Sequence, residues 1–528
     1  MRKLSLSVSA ALLFLAGMAS ANVKLPALFT DGLVLQQGKP VPVWGWADDG
    51  EKVTVKIAGK QASAVATGGK WMLKLPAMKA GGPMPMTVTG NNTIALPNVY
   101  VGEVWIASGQ SNMQMGLDGT IGSKEAIESS NNPMLRLFTV PNVRSDKPLD
   151  DVNGKWVQAG PDNVRWFSAV AYYFARDLQQ ALKVPVGIIH TSWGGSPAEV
   201  WMSRRVLDAD PEYKQMVAAA PAQLEAWKAA YAKFQTDLPG IKEKDAADIA
   251  AAEEKAKSMT PEAGQKLVSD ARNAAFWREQ PPWQPWTPAE LYNGMIAPLI
   301  PYAIQGAIWY QGESNAGRAF QYRRLFVDMI ENWRQDWGEG NFTFLSVQLA
   351  PFTAILPQPA DSDWAELREA QLMSTKALPN VGMAVITDVG NETDIHPKDK
   401  APVGARLALA ALGIAYHKSI EYSGPIYKSM QVTGDKIVLS FTHVGQGLIS
   451  KGGRLTGFAI CGPDHKFVWA SARIVGDTVV VESHLVKNPV AVRYGWANYP
   501  VVNLWNKDGL PATSFRTDDF QMVTGPKK

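Results

Sequence analysis

The chain has little cysteine, little net charge and no long apolar run beyond its N-terminal segment, and each shortage excludes a class of protein. Cys461 is the only cysteine among 528 residues, so no intrachain disulfide can form. The formal net charge is only +3, which argues against a nucleic-acid partner. No later segment is apolar for the roughly 18 residues that a membrane-spanning helix needs, so no membrane span is expected.

The sequence also lacks the patterns of metal and phosphate sites. Its six histidines are scattered singly, there is no His-Glu-x-x-His pattern, and cysteine ligands are missing. Gly68-Gly69-Lys70 lacks the upstream glycine of a phosphate-binding loop. We therefore expect neither a metal nor another cofactor.

The N-terminal segment has the pattern of an export signal. Arg2 and Lys3 precede an apolar run over residues 4–18, and Ala19-Ser20-Ala21 fits a cleavage site of small residues. The pattern predicts a signal peptide at residues 1–21, cleaved after Ala21. We therefore expect an exported protein that is periplasmic or secreted.

Hydrophobic periodicity divides the rest of the chain into three regions. Alternation at period two predicts an N-terminal β-sandwich-like domain over residues 22–100 and a C-terminal β domain over residues 421–528. Between them, residues 101–420 alternate apolar strands with helical stripes, which predicts an α/β domain with a parallel sheet and helices on both faces. The Ala-, Lys- and Glu-rich segment at about 205–290 predicts a helical insertion.

The predicted elements of the α/β domain are short and regularly spaced. Strands are predicted at 99–107, 184–189, 305–310, 342–349 and 381–387, and helices at 164–182, 320–333, 363–378 and 402–416.

Ser111 is the candidate nucleophile, because it lies in the turn Gly109-Gln-Ser-Asn-Met113 directly after an apolar strand. A serine on such a turn projects its hydroxyl beyond the sheet edge, where backbone amides can meet an oxyanion. A neutral hydroxyl needs a base, and His396 follows another strand of the same sheet at the same edge. His190 precedes a glycine turn and is predicted to support that turn. Ser314 is a weaker candidate for the nucleophile.

Asp394 is predicted to orient the base. Pro397 favours an extended conformation at His396, and residues i and i+2 of an extended chain face the same way. Asp394 and His396 should therefore project together, as a triad acid and base do. The alternatives for the orienting carboxylate are Asp388, Glu392 and Glu313. A Ser-His pair without an acid is also open.

Two further strand ends carry candidate oxyanion donors. Gly194 and Gly195 allow backbone N–H groups to approach a ligand closely, although a tight strand-to-helix turn would use the same residues. The side-chain amide of Gln311 or Asn315 could donate to the same oxygen.

Three tryptophans near these motifs are candidate substrate contacts. Trp193 precedes the glycine pair, and Trp283 and Trp286 close the helical insertion just before a strand that carries a motif. We predict that they form a wall of the substrate cleft. The alternative is that they only pack the insertion onto the core.

Taken together, these motifs resemble the SGNH hydrolases, and most of all their sialate O-acetylesterase-like carbohydrate esterases. The similar blocks are Gly109–Met113, Trp193–Gly195, Trp309–Asn315 and Asp394–Pro397, supported by Ser168–Phe174 and Tyr292–Ile296. The resemblance implies a flavodoxin-like SGNH fold and a serine esterase that removes O-acetyl groups from carbohydrates. It also implies Ser111 as nucleophile and His396 as base. The oxyanion donors that it implies are the Ser111 N–H, a Gly194 or Gly195 amide, and the Gln311 or Asn315 side chain.

The chain departs from the SGNH pattern at the acid. SGNH enzymes commonly place the acid three residues before the histidine, where this chain has Thr393, so the identity of the acid stays open. In the third block, Gln311-Gly312-Glu313 stands where Gly-Asn-Asp is usual.

The expected partner is an O-acetylated carbohydrate, either sialic acid or another acetylated glycan. Another SGNH lipase or thioesterase, or a non-catalytic carbohydrate-binding protein, is the alternative. The intact Ser111 and His396 argue against the non-catalytic alternative, and the lack of a strongly apolar lid argues against a lipase. No oligomeric state follows from the sequence.

Overall fold

The structure, a computed structural model, describes residues 22–526. The predicted signal peptide at residues 1–21 lies outside the described residues.

The N-terminal region is a β structure whose last strand continues into the central sheet. Its strands are β1 Val34–Gln36, β2 Val41–Trp46, β3 Lys52–Ile57, β4 Lys60–Val65, β5 Lys70–Leu75, β6 Gly81–Thr89 and β7 Thr93–Gly109. The first part of β7 pairs with β1 and β6, and its last residues pair with strands of the central sheet. The boundary predicted between residues 100 and 101 falls inside this 17-residue strand, because the apolar run 99–107 offers no break.

The central sheet is parallel except at one edge. Its other strands are β8 Asn132–Thr139, β9 Val157–Ala159, β10 Val186–Ser192, β11 Gly306–Tyr310, β12 Thr343–Val347 and β13 Val381–Ala384. The order is β13-β12-β11-β7-β10-β8, with parallel neighbours throughout, and β9 pairs with β8 in the antiparallel sense. Strands β10 to β13 lie where the sequence predicts them, with ends that differ by a few residues.

The helices connect these strands and form the insertion. They are α1 Ser111–Gln114, α2 Ser123–Glu128, α3 Pro161–Val164, α4 Ala169–Leu182, α5 Arg204–Leu207, α6 Pro211–Ala256, α7 Pro261–Arg278, α8 Ala319–Trp337, α9 Asp363–Ala377 and α10 Ala401–Ile414. Of the stripe predicted as one helix over 164–182, residues 169–182 form α4, whereas α3 ends at Val164 and residues 165–168 lie between the two helices. Helix α4 begins at Ala169 because the Ser168 hydroxyl caps it, accepting a hydrogen bond from the Ala171 N–H at 3.1 Å.

Apolar side chains cover both faces of the central sheet. Because side chains alternate along a strand, Ile106 and Trp309 belong to the core that contains α8, whereas Trp105 and Tyr310 belong to the core that contains α4 and α10. Parallel strands buried on both faces need helices on both faces. The prediction of an α/β fold with additional β-rich regions is therefore confirmed.

The segment predicted as a helical insertion consists mainly of α6 and α7, which pack together as a hairpin. The Arg278 Nε donates to the Asp245 Oδ1 at 2.6 Å across the pair. The Trp227 Nε1 donates to the Pro282 carbonyl at 2.9 Å, which fixes the segment after α7.

The C-terminal region has its own apolar core. Its strands are β14 Ile426–Thr433, β15 Lys436–Thr442, β16 Leu448–Ser450, β17 Phe458–Cys461, β18 Val468–Trp469, β19 Ser471–Val475, β20 Thr478–Glu482, β21 Ala491–Tyr494, β22 Leu504–Asn506 and β23 Phe515–Arg516. They form the sheets β14-β15-β20-β19 and β18-β17-β21-β23 and the pair β16-β22. Within residues 22–526 no helix combines the length and apolarity that crossing a membrane requires.

Candidate active site

Ser111 lies at the carboxyl edge of the central sheet, where β7 turns into α1. Gly109 makes the turn possible: its φ is +137°, and a Cβ there would lie 2.2 Å from the Tyr310 carbonyl oxygen of β11. The Gln110 N–H donates to that same oxygen at 2.9 Å. The serine is thus held beside the end of β11 by a contact that only glycine permits.

His396 lies directly beside Ser111, with its Nε2 2.8 Å from the Ser111 Oγ. The two residues are 285 positions apart in the chain, and the fold brings them together as the sequence predicts. Ser314, the weaker candidate for the nucleophile, is exposed and forms no hydrogen bond with a histidine of the described chain.

The segment before His396 is an irregular turn, not the extended chain that Pro397 led us to expect. The Asn391 Oδ1 accepts hydrogen bonds from the N–H groups of Thr393 at 2.8 Å and Asp394 at 3.1 Å. The Asp394 Oδ1 in turn accepts one from the His396 N–H at 2.9 Å. Asn and Asp side chains commonly build such turns by bonding backbone two residues ahead. Asp394 therefore meets His396 through a turn and not through strand alternation.

Asp394 is the carboxylate nearest the imidazole within the described residues, with its Oδ1 3.4 Å from the His396 Nδ1. The alternative acids have other partners. Asp388 forms two hydrogen bonds with Arg406, at 2.6 and 2.7 Å. Glu392 accepts a hydrogen bond from the Ile355 N–H at 3.2 Å. Both Asp394 and His396 are about two-fifths exposed, so solvent weakens their interaction.

Asn112 joins the turn that bears Ser111 to the loop that bears His396. Its Nδ2 donates to the Glu313 Oε1 at 2.6 Å and to the Ile395 carbonyl at 3.1 Å, and its Oδ1 accepts from the Lys400 Nζ at 2.5 Å. Asn112 follows Ser111 and Ile395 precedes His396, so this buried amide fixes the distance between hydroxyl and imidazole. Sequence analysis missed Asn112 and Lys400. Glu313, predicted as a possible orienter of His396, instead holds Asn112.

The Lys400 amine, which the Asn112 network holds, acts electrostatically on the imidazole. Burial lowers the pKa of Lys400 to about 7, against the attraction of Glu313 and Asp394. Burial also raises the pKa of the Glu313 carboxyl. The pKa of His396 is lowered below 6.5, first by partial burial and also by Lys400, while Asp394 acts to raise it. The imidazole is therefore neutral and able to accept a proton near pH 7.

The glycine turn after β10 packs against the serine. A Cβ on Gly194 would lie 3.3 Å from the Ser111 Cβ, and the Gly194 N–H donates to the Gln114 Oε1 at 2.7 Å. Gly195 is exposed and its N–H has no acceptor among the residues described. Ser111 is the first residue of α1, where an N–H has no acceptor within the helix. The N–H groups of Ser111 and Gly195 are thus free to bind an oxyanion, and Gly194 becomes so if Gln114 moves.

The prediction that Gln311 or Asn315 donates to the oxyanion does not fit this geometry. Both side chains are buried. The Gln311 Nε2 donates to the Ser196 carbonyl at 3.2 Å and to the Asn315 Oδ1 at 2.6 Å. The Asn315 Nδ2 donates to the Glu199 Oε2 at 3.1 Å. Both amide nitrogens thus donate to buried oxygens, and these bonds hold the chain that follows the glycine turn.

His190 also supports the glycine turn, as the sequence predicts. Its Nε2 lies 2.6 Å from the Ser192 hydroxyl, and full burial lowers its pKa to about 4. It is therefore a neutral residue of the interior at physiological pH.

The three predicted tryptophans form an aromatic cluster beside the glycine turn. The rings of Trp193 and Trp286 meet edge to face at 5.5 Å, and Trp283 lies 6.4 Å from Trp286. Trp283 is 69% exposed, and a Cβ on Gly195 would lie 3.8 Å from its ring. Trp193 and Trp286 pack on the main core, and the Arg144 guanidinium, which sequence analysis missed, lies 4.1 Å from the Trp286 ring centre. Trp283 therefore has the accessible ring.

The arrangement is suited to acyl transfer. A hydroxyl in contact with a neutral imidazole can be activated for attack on a carbonyl, and free N–H groups beside it can bind the resulting oxyanion. Within residues 22–526 no group of three or more His, Cys, Asp or Glu is placed to hold a metal ion.

The chain is similar to carbohydrate esterases over most of its length. Residues 267–413 match a family model described as carbohydrate esterase, sialic acid-specific acetylesterase. The chain is 28% identical to the sialate O-acetylesterase of Mus musculus and 29% identical to that of Rattus norvegicus, in each case over 90% of this chain and 90% of the relative.

A solved structure is also similar in sequence and fold. A carbohydrate acetylesterase from Xanthomonas citri is 38% identical, and the alignment covers 94% of this chain and 100% of that one with a TM-score of 0.77.

Two substitutions should move the pKa of His396 in opposite directions. Asp394→Asn removes the negative charge that raises this pKa, so the pKa should fall further. Lys400→Met removes a positive charge that lowers it, so the pKa should rise. NMR titration of the histidine side chains measures both shifts, with the exposed His484 as internal control. Shifts of the same sign in both variants would contradict this electrostatic account.

Proposed function

Because the chain belongs to the sialate O-acetylesterase-like carbohydrate esterases, which remove acetyl groups from carbohydrates, we propose that Ser111 is its nucleophile and His396 its general base. The observation that carries the proposal is the 2.8 Å contact between the Ser111 Oγ and the His396 Nε2. The neutral state of this imidazole near pH 7 supports its role as the base.

The reaction proceeds in two steps. The Ser111 Oγ attacks the acetyl carbonyl while the His396 Nε2 takes the hydroxyl proton, and the collapse of the tetrahedral intermediate releases the sugar oxygen, which receives that proton. Water then attacks the acetyl-serine, His396 takes a proton from the water and returns it to the Ser111 oxygen, and acetic acid leaves and ionises to acetate.

The oxyanion is bound by backbone groups in this mechanism. The N–H groups of Ser111 and Gly195 are free, and the Gly194 N–H joins them when the Gln114 side chain turns away. Each well-placed donor lowers the barrier by about 3 kcal/mol. Gln311 and Asn315 act indirectly, because they hold the turn that carries these donors.

Asp394 orients the imidazole and stabilises its protonated form. Its Oδ1 lies 3.4 Å from the His396 Nδ1 and also binds the His396 N–H. Because this contact is long and partly exposed, Asp394 contributes less than the buried acid of a tightly bonded triad.

The catalytic sheet has the SGNH, flavodoxin-like layout in this proposal. Apart from β8, an additional parallel strand on the outer side of β10, the strands β7, β10, β11, β12 and β13, numbered one to five along the chain, lie in the order 2-1-3-4-5 of doubly wound flavodoxin-like sheets. The serine turn, the glycine turn and the histidine loop follow β7, β10 and β13 at their carboxyl ends, where such sheets bind ligands.

An acetylated sugar ring rests on the exposed face of Trp283 while its ester reaches Ser111. The large apolar face of an indole suits the C–H face of a sugar ring, and Trp283 borders the glycine turn. Trp193 and Trp286 support it from the core side.

Ser111→Ala should lower acetate release from p-nitrophenyl acetate and acetylated xylan by at least about 10⁴-fold, because the attacking oxygen is lost. The melting temperature should change little, since the Ser111 side chain is only partly buried. Ser314→Ala, a matched exposed serine of another motif, should keep full activity. Undiminished turnover by Ser111→Ala, or loss of turnover in Ser314→Ala alone, would overturn the assignment.

The value of kcat/KM should rise with pH through the pKa of His396, which lies below 6.5, because only the neutral imidazole accepts the serine proton. Asp394→Asn should move this acidic limb to lower pH and reduce the plateau by about tenfold to a hundredfold, short of the ~10⁴-fold loss when a triad acid is fully engaged. Profiles of kcat/KM from about pH 4 to about pH 9, a range that spans the ordinary histidine pKa, measure both effects. An unshifted limb would contradict the role of Asp394.

We also propose that the protein is exported, with residues 1–21 as a cleaved leader. The basic start, the apolar run and the small residues before Asn22 support this. Expression of the full chain in a bacterial host, with N-terminal sequencing of periplasmic and cytosolic fractions, should give mature protein that begins at Asn22. Cytosolic protein that keeps residues 1–21 would contradict it.

A further inference from the structure

We propose that a groove between the loop of residues 350–362 and the C-terminal β region binds the sugar chain of the substrate beyond the acetylated unit. We call it the C-terminal groove. The inference rests on the proposed function, because it concerns the same glycan. Its ligand class is a neutral polysaccharide backbone.

The C-terminal groove is a cavity of about 210 Å³ that adjoins a second one of about 50 Å³. The two share a side wall formed by the 350–362 loop and a floor formed by the C-terminal strands. The residues that line both are Pro359, Ala360, Asp361, Gly457, Trp469 and Trp496.

The loop of residues 350–362 connects the groove to the turn that precedes His396. Near its start, the Asn391 N–H donates to the Pro351 carbonyl at 3.3 Å and the Ile355 N–H donates to Glu392 at 3.2 Å, so the loop touches the turn that leads to His396. Two residues after Ile355, the Pro357 carbonyl accepts a hydrogen bond from the Trp469 Nε1 at 2.9 Å. One loop therefore contacts both the turn before His396 and the groove, and the proposal places along it a glycan that leaves Ser111 on the His396 side.

The groove contains a hydrogen-bond donor on Arg493 and an acceptor on Asp361, separated by a distance that a sugar hydroxyl can bridge. The Arg493 side chain is 92% buried; its Nε and Nη2 bind Asp518 at 2.9 and 3.0 Å. Its third nitrogen, Nη1, lies 3.6 Å from the Asp361 Oδ1, too far for a direct hydrogen bond. A sugar hydroxyl between them can accept from Arg493 and donate to Asp361, because a hydroxyl does both.

An indole ring and a balanced charge specify a neutral sugar. Trp469 is 43% exposed and offers a flat apolar face at the rim of the groove. The Arg493 guanidinium faces the carboxylates of Asp518 and Asp361, so the groove has no uncompensated positive charge with which to select an acidic sugar. An aromatic face beside a paired donor and acceptor is the chemistry of a pyranose site.

The test compares a polymeric and a small ester in matched variants. Trp469→Ala and Asp361→Ala change exposed side chains of the groove, and Trp277→Ala removes a more exposed tryptophan, from α7. We expect Trp469→Ala to lower kcat/KM on acetylated xylan about tenfold, with p-nitrophenyl acetate turnover unchanged. Asp361→Ala should act in the same direction and Trp277→Ala should change neither substrate.

Binding is measured separately from chemistry by native gels that contain deacetylated xylan, xyloglucan or glucomannan. At least one polysaccharide should retard the wild-type protein and Ser111→Ala equally, and Trp469→Ala should lose the retardation. The groove proposal would be overturned if none of the three polysaccharides retarded the protein. It would also be overturned if Trp469→Ala lowered turnover of acetylated xylan and of p-nitrophenyl acetate equally. An active Ser111→Ala protein that is still retarded would contradict the proposed nucleophile and leave the groove intact.

Discussion

The site depends on one buried amide, the side chain of Asn112. It binds Glu313, the Ile395 carbonyl and Lys400 at once, and so joins the serine turn to the histidine loop. Buried polar groups are costly unless they are bonded, so each partner is restrained by the others. The 2.8 Å contact between Ser111 and His396 is a consequence of this network, because neither residue is fixed by its own strand alone.

The sequence was sufficient for the fold class and for the pair Ser111 and His396, because both follow from where motifs stand relative to apolar strands. It was not sufficient for residues whose role depends on a distant partner. Lys400 stands among polar residues in the sequence, as an exposed lysine would. It is nevertheless buried, because α10 begins beneath the serine turn. Gln311 and Asn315 carry the right amides, but their hydrogen-bond partners on the chain after β10 were invisible before the fold was known.

The acid illustrates the same limit at short range. Extended chain at His396 predicts that Asp394 lies beside it, and Asp394 does so, but through a turn closed by its own carboxylate. That carboxylate is shared between the backbone and the imidazole, which leaves the His396 ring only loosely oriented by Asp394. Ser111 and His396 are therefore positioned more firmly through Asn112 than through Asp394.

The long strand β7 has a consequence for how the protein is organised. Its first part belongs to the N-terminal β structure, and its last residue, Gly109, opens the turn that carries Ser111. The apolar core of that N-terminal region is also continuous with the α8 face of the sheet. The N-terminal region therefore shares both a strand and an apolar core with the sheet that carries Ser111, and exchange of this region between relatives has to preserve both.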